Sequence, residues 1–213
     1  PDGTGIITLN GNFVAITNEL SANDVAIASE LLLGSGAQIV QVATNSDLTL
    51  VTNGTGAVTT ASQVTLTGSF KRAIHTITAT DSITESEHAG RTLLLGEVGG
   101  NANVVLTMPD ATGSGNIYEF IVSVAMTGST TYKIQAADAN NTFSGQIQYL
   151  DEDGTAVSAF PTVSATDTIT LNSGTQGGLI GDTVTLIDIA ADKYAVKGQM
   201  RVASGTDPAT PFT

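Results

Sequence analysis

The sequence predicts an all-β protein, and three observations support this fold class. Apolar and polar residues alternate with a period of two along most of the 213 residues. Between the alternating runs stand Asn10-Gly11, Asn53-Gly54 and Asp153-Gly154, dipeptides that adopt the positive φ angles of tight hairpins. Such turns recur about every 8–12 residues, which is typical of a sandwich or barrel. The 33 threonines and the low charged content of 13% suit extended strands with hydroxylated outer faces.

The period-two pattern predicts strands in order along the chain, with Asn172-Ser173-Gly174 forming a longer loop before the last two. They are residues 6–9, 13–16, 38–42, 48–51, 64–66, 74–78, 104–106, 118–124, 132–134, 147–149, 168–171, 184–187 and 194–196.

One segment carries a helical signal. Ser21 precedes Asp24 by three residues, as in a capping box with Asp in place of Glu, and apolar residues follow as far as Leu32. A short helix over residues 22–33 is therefore predicted, although the run of three leucines at 31–33 is also compatible with a buried strand.

A change in composition predicts a domain boundary near residue 72. Residues 37–69 contain a single charged residue, Asp47, and few large apolar side chains. We therefore expect residues 1–72 to form an N-terminal arm or small β-domain that packs on another chain or on the next domain. Most of the aromatic residues lie after this point, so residues 73–213 are expected to hold the main core.

The charge balance argues against several classes of function. Twenty acidic and seven basic residues give a net charge of −13, which repels nucleic-acid phosphates unless Lys71, Arg72 and Arg91 cluster. The absence of cysteine excludes disulfides and thiolate zinc sites. No apolar run is long enough to span a bilayer and the first residues lack signal-peptide features, so a soluble, unexported chain with no membrane partner is expected.

Two groups of residues could in principle bind a metal. Asp151-Glu152-Asp153-Gly154 begins like a calcium loop, but Thr155 and the residues after it lack the further oxygen ligands, and a hairpin turn is the favoured interpretation. Glu85, Glu87 and His88 offer a second set, which we interpret as a solvated turn because a site needs three or four converging ligands.

The sequence predicts no enzyme. His75 is expected on the polar face of a strand, and the chain has no Gly-x-Ser-x-Gly elbow to accompany it in a catalytic triad. The glycine-rich run at 96–100 lacks the Lys-Ser/Thr of a phosphate-binding loop. We therefore expect no catalytic, metal-binding or cofactor-binding residues and no cofactor.

Residues 76–213 resemble a known family. The order of elements is a polar turn with glycine before a Leu-rich strand at 84–95, a strand ending in Pro at 104–109, and a Gly-x-x-Tyr-x-Phe strand at 115–122. Phe143-Ser144-Gly145, the strand at 182–188, the run at 193–198 and Pro211-Phe212 continue the pattern, with Tyr194 where the family often has Trp and Met108 where it has Leu. In this order the chain resembles the capsid decoration, or cement, proteins of tailed phages.

The resemblance implies a jelly-roll-like antiparallel β-sandwich that assembles as a homotrimer on the outer surface of the capsid. Its partner would be the major capsid protein, and it would stabilise the virion by bridging neighbouring capsid subunits. A trimeric phage tail fibre or receptor-binding protein is the alternative, because it would share the Thr- and Gly-rich composition. A carbohydrate-binding or hydrolytic jelly roll is a third possibility.

Overall fold

The computed structural model describes residues 69–96, 102–151, 157–203 and 205–213, all within the unit Thr65–Thr213 of a chain that divides after residue 64. Residues 1–68 of the predicted arm lie outside these residues, with the predicted helix at 22–33, the five strands predicted before residue 67 and the Asn10-Gly11 and Asn53-Gly54 turns. The predicted Asp153-Gly154 turn also lies outside them. The elements are β1 (Ile74–Ile77), β2 (Asp81–Ser82), α1 (Glu85–His88), β3 (Thr92–Leu95), β4 (Asn103–Thr107), β5 (Ile117–Val122), β6 (Thr131–Gln135), β7 (Thr142–Asp151), β8 (Val157–Pro161), β9 (Thr168–Leu171), β10 (Thr183–Ala190) and β11 (Lys193–Val202).

The strands form two sheets, which confirms the all-β class. The larger sheet has the order β1-β3-β5-β10-β11-β7-β8, and the smaller has the order β2-β4-β6-β9. The last strand, β11, therefore lies in the interior of the larger sheet between β10 and β7. Among the described residues α1 is the one helix, and no helix there is long and apolar enough to cross a membrane.

Both sheets are mixed, because the first six strands alternate between them. The chain passes from β1 in the larger sheet to β2 in the smaller one and returns as β3 beside β1, so each returning strand runs parallel to its predecessor. Together with the β7–β11 pair, this gives five parallel pairs against four antiparallel ones. The expected antiparallel pairing therefore holds for four pairs, and the connectivity of a jelly roll is not confirmed.

One core lies between the sheets. Alternate residues of each strand point inward, as in the buried Tyr118, Phe120 and Val122 of β5, which is the period expected for strands with one buried face. Inward side chains of both sheets belong to a single cluster that runs from Ile77 to Phe212. Among the described residues, the aromatic side chains after position 73 belong to this cluster, with Phe160 only partly buried at its margin.

Two local features fix the sandwich. In the β7–β11 pair Gly145 opposes Val196 with a φ of +151°, and a Cβ at this glycine would lie 1.9 Å from the Val196 carbonyl oxygen. In the smaller sheet, Phe212 forms a β-bridge to Ile169 of the edge strand β9, so the segment after β11 covers part of that edge.

Candidate functional site

The most concentrated set of metal-ligating side chains among the described residues lies where β1, β2 and α1 meet. It consists of His75, Asp81 and His88, and we call it the His-Asp cluster. One ligand atom of each residue lies within 4.8 Å of the others. His75 and His88 are the two histidines of the whole chain.

His88 is held by the short helix that follows β2. Ile83, buried between β2 and α1, donates its backbone N–H to the Thr107 carbonyl at 2.8 Å and so fixes the chain just before the helix. The His88 ring is then folded into the protein, with 1% of its surface exposed. Its Nδ1 accepts the Thr84 backbone N–H at 2.9 Å, whereas its buried Nε2 has no hydrogen-bond partner among the residues that the structure describes. A buried ring nitrogen without a partner is costly and calls for an explanation.

His75 and Asp81 approach this nitrogen from the neighbouring strands. The His75 and His88 rings are 4.6 Å apart between centroids and inclined by 60°. Asp81 Oδ2 lies 3.6 Å from His88 Nε2, which is too long for a normal hydrogen bond. The other carboxylate oxygen of Asp81 accepts the Ser82 N–H at 2.8 Å, and 43% of the Asp81 side chain is exposed, so the cluster is open to solvent on one side.

The electrostatics of the cluster favour a neutral His88. Burial lowers the pKa of His88 and the neighbouring His75 lowers it further, while Asp81 acts in the opposite direction. Because Nδ1 accepts a backbone N–H, the proton of the neutral ring is assigned to Nε2, which faces Asp81.

The metal candidates taken from the sequence are therefore regrouped. His88 belongs with His75 and Asp81, whereas Glu85 and Glu87 of α1 are exposed and lie outside the cluster, because the helix turns those two side chains to solvent. The segment after Asp151 that begins like a calcium loop, and for which a hairpin turn is the favoured interpretation, lies outside the described residues. The His75–Asp81–His88 spacing matches no compact ligand motif, and the two histidines were the one signal in the sequence that pointed to the cluster.

A second candidate surface is the outer face of the larger sheet. A groove of about 340 Å³ crosses β7 and β11 and is lined by Tyr149, Asp182 and Arg201, among others. A neighbouring groove of about 370 Å³ shares Gln148 and Gln199 with it, so the two form one polar depression. Its margin carries apolar side chains, since Leu150 and Val157 line the first groove and are exposed.

The buried carboxylate of this surface has a structural role. Asp182 accepts backbone N–H groups from Gly178, Leu179 and Arg201 at 2.8 to 3.1 Å, and its Oδ1 lies 3.6 Å from the Arg201 guanidinium. Burial nevertheless raises the pKa of Asp182. Since its acceptor sites are occupied by the turn before β10 and by Arg201 of β11, the residue holds that turn against the strand.

Two of the basic residues in the described part of the chain pair with carboxylates. The Arg72 guanidinium, one of the three residues whose clustering would be needed to bind phosphate, pairs with the carboxylate of Glu119. Arg201 pairs with Asp182, so two of the cations are engaged by carboxylates.

Comparison of the chain with family models found no match, and comparisons with curated proteins and with solved structures found none either. The class that the fold and surfaces define is an all-β protein with two facing mixed sheets, a polar outer groove with an apolar margin, and a small histidine–carboxylate cluster.

Proposed function

We propose that this protein is a virion structural protein that decorates the outer surface of a phage capsid and bridges neighbouring major capsid proteins. The observation that carries the proposal is the ordered resemblance over about residues 76–213. Each of its strand motifs overlaps a strand of the sandwich, for example residues 92–95 coincide with β3 and residues 117–122 of the motif at 115–122 form β5. The resemblance implies a jelly-roll-like sandwich. The function proposed here depends on two facing sheets and does not depend on every strand pair being antiparallel.

The charge of the chain supports an external position. A net charge of −13 disfavours a surface that lines packaged DNA, because that surface gains from basic residues. It is compatible with a position on the side of the shell that faces solvent. The same charge gives no reason to expect direct contact with nucleic acid.

Exposed apolar side chains at the margin of the larger sheet support a contact surface for a protein partner there. Val157 is 69% exposed, Ile180 is 58% exposed and Leu150 is 42% exposed, beside the polar groove. Exposed apolar side chains beside polar groups that can form hydrogen bonds with a partner are typical of a protein–protein interface. Assembled as a homotrimer, the protein would present this surface three times, and after the first contact the others would form at high effective concentration.

Localisation of the chain on virus particles tests the proposal. Antibodies against the purified protein should label the whole capsid surface in electron micrographs of particles that contain it. Labelling of the tail would instead support the fibre alternative, and particles that carry the chain inside the shell would overturn both.

A pair of variants then tests the contact surface. Val157→Asp places a charge on the exposed margin and should weaken binding to capsids stripped of this protein at least tenfold. Val163→Asp makes the same change at a valine of similar exposure, 72%, away from the groove, and should leave binding unchanged. Equal effects of the two variants would remove the groove margin from the interface.

The tail-fibre alternative is favoured by one observation. The alternation of β1 to β6 between two sheets, with parallel neighbours in each, is the path of a β-solenoid, an architecture that extends along one axis. We call this alternating path of β1 to β6 the parallel coil. The later strands β9 and β10 pair antiparallel with its last two strands and β11 pairs with β10, so the parallel coil is part of a sandwich in this protein. We therefore rank the fibre second.

A further inference from the structure

We propose that the His-Asp cluster binds one divalent transition-metal ion, such as Zn²⁺, through His75, Asp81 and His88. The proposal concerns a site separate from the groove and holds or fails independently of the proposed function. It begins from the buried Nε2 of His88, which no group in the described protein satisfies. An ion between this nitrogen and its two neighbours would coordinate it in the tautomer that carries the ring proton on Nδ1.

The distances suit such an ion. Zinc binds histidine nitrogen and carboxylate oxygen at about 2.0–2.2 Å, which places two ligand atoms of a tetrahedral site about 3.4 Å apart. His88 Nε2 and Asp81 Oδ2 are 3.6 Å apart, and the three ligand atoms lie within 4.8 Å of one another. A movement of His75, which is only partly buried, closes the remaining gap. The solvent-exposed side of Asp81 leaves room for water as a fourth ligand.

The hydrogen bonds of the His88 ring determine which tautomer it must adopt to bind a metal. In the metal-free protein Nδ1 accepts the Thr84 N–H, so the ring proton is on Nε2. Coordination through Nε2 requires the other neutral tautomer, in which the proton is on Nδ1. The Thr84 hydroxyl oxygen, 3.3 Å from Nδ1, is then the available acceptor, and the Thr84 N–H loses its partner. The number of protons on the ring is unchanged, and the lost hydrogen bond makes the affinity weaker than that of a site built for the Nδ1–H tautomer.

The donor set selects the kind of metal. Two imidazoles and one carboxylate suit Zn²⁺, Co²⁺ and Ni²⁺, whereas Mg²⁺ and Ca²⁺ prefer sites made of oxygen. The absence of cysteine means that no thiolate site competes anywhere in the chain. A bound ion would tie β1, β2 and α1 together at the start of the sandwich, so it should raise the stability of the folded protein.

The test uses the full chain without a histidine tag, treated with a chelator and then titrated with Zn²⁺. Because the chain has two histidines, the imidazole signals in an NMR spectrum belong to the cluster alone. We expect both sets of signals to change with saturation at one Zn²⁺ per chain, visible ligand-field bands on addition of Co²⁺, and a Zn²⁺-dependent rise in the unfolding temperature.

Variants separate the cluster from the general acidity of the surface. His75→Ala and Asp81→Asn alter partly exposed residues and should weaken Zn²⁺ binding at least tenfold while the protein stays folded. Asp207→Asn removes the same charge from an exposed carboxylate elsewhere and should leave binding unchanged. Unchanged histidine signals in the wild type, full binding by Asp81→Asn, or equal binding of Ca²⁺ would each overturn the proposal.

Discussion

Replacing Asp188 with Asn should destabilise the domain by removing a buried charge from a turn that is built around it. The carboxylate of Asp188, 3% exposed, accepts backbone N–H groups from Thr112, Gly113 and Ser114 at 3.1, 2.6 and 3.0 Å. The hydroxyls of Thr112 and Ser114 donate to it at 3.2 and 2.6 Å. Burial alone would raise the pKa of Asp188, but the hydrogen bonds from Ser114, Thr112 and Gly113 lower it to about 2.

The size of the effect follows from the pKa. A carboxyl that titrates at 3.8 in the unfolded chain and at about 2 in the folded one stabilises the protein by about 2 kcal/mol at neutral pH. Since the folded pKa is the lower one, this stabilisation is almost complete above pH 4 and is lost as the pH falls towards 2. The amide group introduced by Asp188→Asn would also face the Gly113 N–H, donor against donor, which adds about 1 kcal/mol.

Urea denaturation followed by circular dichroism and tyrosine fluorescence measures this difference, because the chain has four tyrosines and no tryptophan. At pH 6 Asp188→Asn should lower the free energy of unfolding by about 2–3 kcal/mol, and the deficit should shrink by about 1.5 kcal/mol at pH 2.5. Asp207→Asn, at an exposed position, should change it by less than about 0.5 kcal/mol. A deficit for Asp188→Asn that is independent of pH would refute the assigned role of the charge.

Three further predictions concern the sandwich and the arm. Gly145→Ala should cost more than about 3 kcal/mol or prevent folding, since its Cβ meets a backbone oxygen, while Gly115→Ala, with φ +77° and open space, should cost about 1–2 kcal/mol in the same denaturation assay. Tyr132→Phe should cost about 1–2 kcal/mol, because the single hydroxyl proton of Tyr132 is shared between two buried carbonyl oxygens that would lose it. Tyr149→Phe should be neutral or stabilising, because the Tyr149 hydroxyl has no hydrogen-bond partner among the described residues; a larger loss for Tyr149→Phe would contradict this. Deletion of residues 1–70 should leave a folded β-domain, judged by circular dichroism, that no longer stabilises capsids against heat, and full stabilisation by the truncated chain would end the arm assignment.

The local features of the fold were accessible from the sequence because they depend on neighbouring residues. The strand predicted at 168–171 coincides with β9, and that at 132–134 lies within β6. Asn172 anchors the predicted loop by accepting the Gly174 N–H, and Ser173 there has a φ of +58°. Alternation and turn chemistry suffice for such features.

The pairing of the strands and the His-Asp cluster were not accessible in the same way. The parallel coil depends on which sheet each strand enters, and strand periodicity carries no information about that choice. β2 has two residues, too few to show a period of two, and β8 has the sequence Val-Ser-Ala-Phe-Pro, in which apolar and polar residues do not alternate throughout. His75, Asp81 and His88 come from three different elements, and their approach is a consequence of the coil.

The interior position of β11 has a consequence for how the protein is made. Within the described sheet, β10 on one side and the β7–β8 pair on the other are joined through this last strand, which pairs with both over most of its length. A chain that stops before residue 193 therefore exposes two unpaired strand edges at once, each a template for intermolecular pairing. Because the β7–β11 pair also spans about fifty residues, we expect the larger sheet to close late and nonsense fragments to aggregate instead of accumulating as partial folds.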